Sequence, residues 1–180
     1  MSASDDVIEF WFESCTPDQW YKKDVEFDRK LTELFGDVLD QASKGELYTW
    51  RNSALGRLAE IIVLDQFSRN IYRDTVRSFA QDPMALVLAQ EAVAKGLDNE
   101  LPILQRSFLY MPYMHSESLV VHEEAIRLFD QPGLENNYEF ELKHKVIIER
   151  FGRYPHRNQI LGRTNSLEET AFLNEPNSSF

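Results

Sequence analysis

The stretch "DPMALVLAQEAVAKG", residues 82–96, carries both ends of one helix. Asp82 can cap the first orphan amides, and Pro83 suits the first helical position because it has no N–H to lose. Met84 to Lys95 form the body, and Gly96 suits the left-handed turn beyond the end. Helices read outward from it in both directions. Upstream, Asn52 or Ser53 opens "ALGRLAEIIVLDQFSRN". A helix from about Lys23 to Lys44 places Phe27, Leu31, Leu34, Phe35, Val38 and Leu39 at three- and four-residue spacing, with Gly45 as its stop. Ser4 or Asp5 can cap a first helix carrying Val7, Ile8, Trp11 and Phe12. Downstream, helices are expected around 101–110, 117–129 and 138–151, with Pro112 and "DQPG" as breaks. Ser166 and Glu169 make a capping box for a last short helix. No alternating pattern is long enough for a sheet. The expected fold is all-α: one domain of antiparallel helices over residues 1–175, with 176–180 as a loose tail.

Composition fits that reading. The 180 residues are 43% hydrophobic and 12% aromatic, enough for a real core. The net charge of −11 opposes broad nucleic-acid binding, which depends on neutralising phosphates. A single cysteine, Cys15, excludes an internal disulfide and fits a reducing compartment. The N-terminal "MSASDDVIEFWFE" lacks the basic start of a signal peptide, and no run is long enough to span a membrane. A cytoplasmic protein is expected.

Against the acidic background, residues 143–163 hold six Lys/Arg and one Glu. Within them "KVIIERFGRYPHR", 145–157, matches "IIVLDQFSRNIYR", 61–73. The match aligns Phe67 with Phe151, Arg69 with Arg153, Arg73 with Arg157, and Asp65 with Glu149. Each segment ends an amphipathic helix, and the pattern predicts that two arginine-bearing helix ends face one cleft. Asp65 and Arg69 continue the stripe of Leu55, Leu58 and Ile62, so the carboxylate should be partly buried with Arg69 as its partner. That pair would be architectural or functional. Gly152 and Pro155 break the chain at "GRYPHRN", leaving backbone N–H groups beside Arg153, His156 and Arg157, a combination suited to phosphate or carboxylate.

Of the four histidines, His144 shares a stripe with Phe140, Ile147 and Phe151 and reads as a hydrogen-bonded core residue. His115, beside the cap Ser116 of the following helix, is the better functional candidate. No HExxH pattern, cysteine cluster, dinucleotide fingerprint or P-loop is present, so neither metal nor cofactor is expected.

Four ordered segments resemble a known family: "LAEIIVLDQFSRNIYR", "FAQDPMALVLAQEAVAKGLD", "FLYMPYMHSES" and "IERFGRYPHRNQILGRTNSLEETAFL". The family is the bacterial one catalogued as domain of unknown function 924, and the resemblance covers nearly the whole chain. It implies an all-helical fold grouped with the tetratricopeptide-like superhelices, and it implies no activity, substrate or cofactor. The family commonly has Pro at the position of Ser68 and Phe at that of Tyr154.

Two functions are compatible with these residues. The first is a small-molecule site that binds a phosphorylated or carboxylated ligand, with hydrolysis the simplest reaction open to it. Arg69, Arg73, Arg153 and Arg157 would hold the anion and Asn70, Tyr72 and Asn158 would orient it. His115 or His156 would act as general acid–base, assisted by Asp65 or Glu149. The second is a helical module gripping an acidic peptide.

Overall fold

The structure is a computed structural model describing residues 3–180. The described residues form helices and connecting turns, with no strand among them. α1 (Ala3–Glu9) is already running at the first described residue, so Ser4 and Asp5 lie inside it rather than capping it. It widens into a π turn over Phe10–Ser14. α2 (Pro17–Tyr21) opens with a capping box between Thr16 and Gln19. In α3 (Val25–Ser43) the Asp24 carboxylate accepts hydrogen bonds from the amides of Glu26 and Phe27. Ser53 caps α4 (Ala54–Ile62), which runs through a second π turn, Val63–Phe67, into α5 (Ser68–Ile71). Then come α6 (Asp82–Ala94), α7 (Ile103–Met114), α8 (Leu119–Phe129) and α9 (Glu135–Phe151). Two short helices follow, α10 (Asn158–Leu161) and α11 (Leu167–Phe172), the latter opened by the expected Ser166–Glu169 capping box. Gly45, Gly96 and Gly152 adopt the left-handed conformation expected of them.

Other helix ends also differ from expectation. α6 begins one residue earlier, with Gln81 before it and Asp82 already in its first turn, making no cap bond. The Asp82 carboxylate is taken instead by arginines from elsewhere. α7 passes through Pro112, which sits in its last turn. A proline there sacrifices one hydrogen bond, and the chain leaves the helix two residues later. α8 starts at Leu119, and Ser116 is not its cap; the Ser116 hydroxyl accepts from the Ser118 amide within the turn.

α4 is the centre of the fold. It packs against α1, α6 and α7; α7 packs in turn against α6 and α8, and α8 against α9. From Gly56 to Phe67 every residue is buried, which is a helix enclosed on all sides rather than one apolar stripe. Leu55, read as part of that stripe, is exposed, as is Leu34 on α3. Charged groups in such a helix need partners. Glu60 receives two hydrogen bonds of 2.7 Å from Arg51, and Arg57 reaches Glu91 at 3.1 Å. The segment expected as a tail touches the domain: the Phe180 ring stacks on His144 at 3.9 Å between centroids. No helix among the described residues is long and apolar enough to cross a membrane.

Candidate functional site

Four pieces of chain meet beside α4: its π turn, the start of α6, the end of α7 and the 3₁₀ turn Pro155–Arg157 that leads into α10. They bring Asp65, Asp82, His115 and Arg157 together. The π turn holds Asp65 fully buried at the end of α4. Its carboxylate meets Nδ1 of His115 at 2.7 Å, Nε2 of Gln66 at 2.7 Å and Nη1 of Arg69 at 3.3 Å. Arg69 also forks onto Asp82, with bonds of 2.7 and 2.8 Å. On the other side of Asp82, Nη1 of Arg157 stands 3.7 Å away, beyond hydrogen-bond reach.

A cavity of about 360 Å³ opens over this cluster. Asp82, His115, Ser116, Glu117 and Arg157 supply its polar wall, and Phe79, Leu86, Pro112 and Leu161 are among its apolar lining. The volume lies at the low end of ligand sites, which run from roughly 300 to 1,000 Å³. Phe79 and Tyr154 hold the Arg157 guanidinium between them, each ring centroid 4.6 Å from it. Arg157 donates to the His115 carbonyl at 3.0 Å, but its buried Nε has no partner among the described residues.

The electrostatics follow from these contacts. Burial works against ionisation of Asp65, yet the neighbouring His115 and Arg69 and the hydrogen bonds from His115 and Gln66 outweigh it and hold the carboxyl at about 2. Burial and the Arg69 charge push His115 below its ordinary value, with Asp65 only partly offsetting them. An ionised Asp65 accepts the Nδ1 proton, so the neutral ring has the tautomer with its lone pair on Nε2. No residue described here hydrogen-bonds that nitrogen. Arg157 is pushed down to about 10, first by burial and then by Arg69. Its charge is under-compensated.

The other residues singled out in the sequence lie elsewhere. Arg73 and Asn70 both grip Asp28 on α3, Arg73 with bonds of 2.5 and 2.9 Å. Tyr72 accepts a hydrogen bond from Arg77, whose guanidinium also lies over its ring. Arg153 forks onto Glu169 at 2.7 and 2.9 Å, and Asn158 bridges Asn165 and Arg163. Glu149, aligned with Asp65, is exposed and pairs with Lys145 one turn back. His156 is packed near Tyr154, and its buried Nδ1 has no partner among the described residues. Three backbone amides of the Gly–Pro break are taken: Gly152 N donates to the Ile148 carbonyl, Tyr154 N to Glu117 and Arg157 N to the Tyr154 carbonyl. The two helix ends thus meet through Arg69 and Arg157 around Asp82, while Arg73 and Arg153 serve separate ion pairs.

Sequence reasoning missed Asp82 and Glu117. Asp82 was hidden by its fit to a cap position. Glu117 is clamped by Arg163 with two 2.8 Å bonds, an arginine counted in the basic segment but given no partner.

The family model described as bacterial protein of unknown function, DUF924, matches residues 7–177, and the chain belongs to that family. A solved structure of a protein of unknown function from Agrobacterium tumefaciens, ATU0120, is 36% identical and superposes with a TM-score of 0.90. The likeness covers 95% of this chain and 96% of that one. Among curated proteins, none matches.

Proposed function

We propose that the cavity binds a small organic anion through Arg157 and that His115 is its acid–base group. One observation carries this reading: Arg157 is buried on the cavity wall with its nearest carboxylate 3.7 Å away, beyond hydrogen-bond reach. Burying a cation without full pairing is costly, and a ligand carboxylate or phosphate would supply the missing partner. Arg69, by contrast, is spent on Asp82 and Asp65. His115 fits the second role because Asp65 fixes its tautomer and leaves Nε2 open. In a hydrolytic step Nε2 would take a proton from water as the water adds to the ligand, then return it to the leaving group. That chemistry needs no cofactor. The alternative of an acidic peptide is weakened by Asp82 and Glu117, which put two carboxylates on the same wall.

Thermal unfolding with acetate, citrate, phosphate and chloride at matched ionic strength tests the binding. At least one of the three anions should stabilise the protein beyond chloride, and Arg157→Ala should lose that gain while Arg153→Ala keeps it. Equal stabilisation by chloride, or a gain unaffected by Arg157→Ala, would remove the anion site.

A further inference from the structure

Charge on the cavity wall is mixed rather than basic. Asp82 and Glu117 face the cavity with one cation, Arg157, between a carboxylate on α6 and another in the turn after α7. Behind the wall stand Arg69, forked on Asp82, and Arg163, forked on Glu117. With Asp65 the cluster holds three arginines and three acids, so it is neutral as a whole. A dianion such as phosphate would satisfy Arg157 but set its second charge against Asp82. A single carboxylate would satisfy Arg157 with less repulsion.

The two wall carboxylates also have capacity left. An ionised carboxylate offers about four lone-pair sites. Asp82 receives two hydrogen bonds, both from Arg69. Glu117 receives two from Arg163 and one from the Tyr154 amide. An ammonium group, with three donors and no acceptor, matches those free positions. The rest of the lining, with Phe79, Leu86 and Leu161, is apolar and would cover a hydrocarbon body.

We propose that the ligand is a small zwitterion with an apolar body, an amino-acid-like molecule whose carboxylate pairs with Arg157 and whose ammonium lies against Asp82 and Glu117. This rests on the anion-site reading above and narrows it to a ligand class. Opposite charges stand side by side on the wall, Nη1 of Arg157 3.7 Å from Asp82, so a molecule carrying both a carboxylate and an ammonium gains twice from one loss of freedom.

Isothermal titration of the full chain at fixed ionic strength and pH 7 separates the two claims, using leucine and its two truncated relatives. 4-Methylpentanoate lacks the ammonium, 3-methylbutylamine lacks the carboxylate, and inorganic phosphate is the fourth probe. Leucine should bind at least about tenfold more tightly than any of the three, since a charge-assisted hydrogen bond is typically worth that factor or more. In Arg157→Met, leucine should fall to the level of 3-methylbutylamine. Should 4-methylpentanoate or phosphate equal leucine and lose affinity in Arg157→Met, the zwitterion is wrong and the anion site stands. Equal binding of leucine and 3-methylbutylamine to the wild type overturns the zwitterion, and so does absence of binding by all four, the anion site then standing or falling with the thermal-unfolding series above.

Discussion

His115 Nδ1 lies 2.7 Å from Oδ1 of Asp65, joining the last turn of α7's exit to a π turn fifty residues earlier in the chain. A π turn inside a continuous helix is uncommon and often marks a functional position. Here it leaves Asp65 and Gln66 adjacent in sequence and both buried, one bonded to the other at 2.7 Å. Gln66, Arg69 and His115 all converge on Asp65, so the carboxylate orients the ring rather than facing the cavity itself.

Replacing Asp65 with Ala should therefore cost stability. Breaking a buried pair by removing one partner typically costs about 3–5 kcal/mol. Arg69 keeps Asp82, so the low end of that range is expected. Denaturant midpoints at pH 7 check it; a loss within error of zero would mean that His115 and Gln66 are satisfied without the carboxylate.

Stability should fall between pH 7 and pH 5. Burial pushes His144 down to about 3 and His156 to about 4, the latter helped by Arg157, and His115 is shifted in the same direction. Unfolded histidines titrate near 6.5, so the unfolded chain takes up these protons first and is favoured as the pH drops. For His144 and His156 together the loss is on the order of 3 kcal/mol between pH 7 and pH 5. Glu141, pushed up by burial, works the other way and returns part of it below its folded value. Asp65, held at about 2, adds its own loss only from about pH 4 downward. Chemical melts across this range, with His144→Gln flattening the slope, are the measurement.

The helices and their glycine stops could be read from local chemistry, because caps, left-handed residues and apolar spacing act within one or two turns. Asp65 and Arg69 were legible for the same reason, being one turn apart. What the chain could not disclose is which arginine finds which acid across long separations. Arg73 with Asp28 and Arg163 with Glu117 are matters of tertiary packing. The alignment of 61–73 with 145–157 paired Arg69 with Arg153, whereas the fold pairs Arg69 with Arg157 through Asp82. A carboxylate one residue inside a helix and one at its cap look alike in sequence, which is why Asp82 was read as a local cap.

Gly56 should be intolerant of any side chain. A Cβ built there would lie 2.0 Å from the Trp50 carbonyl oxygen, a backbone atom that cannot rotate away. Because the 3₁₀ turn before α4 would have to move, Gly56→Ala should cost several kcal/mol, comparable to the most damaging single substitutions. A melt within about 1 kcal/mol of the wild type would show that the turn can shift freely.

Arg153 and Arg157, alike in the sequence, should separate under mutation. Arg153 is two hydrogen bonds deep in the buried Glu169 carboxylate, which also accepts from the Ser166 amide in the capping box of α11. Removing the guanidinium in Arg153→Ala takes two donors from that carboxylate and leaves it the Ser166 amide and the Asn158 side chain, so a measurable loss of stability is expected. Arg157 is the opposite case: its burial is incompletely offset, and Met can occupy the same space between Phe79 and Tyr154 without a charge. Exchanging a poorly paired buried ion for an apolar residue is often neutral or stabilising. The bond to the His115 carbonyl is lost in return. Arg157→Met should thus stay within about 1 kcal/mol of the wild type, on either side. Its effect should appear in ligand binding instead. Parallel denaturation of the two variants, followed by titration with the anions above, decides it: a large stability loss in Arg157→Met would make that arginine a structural brace and leave the cavity without its cation.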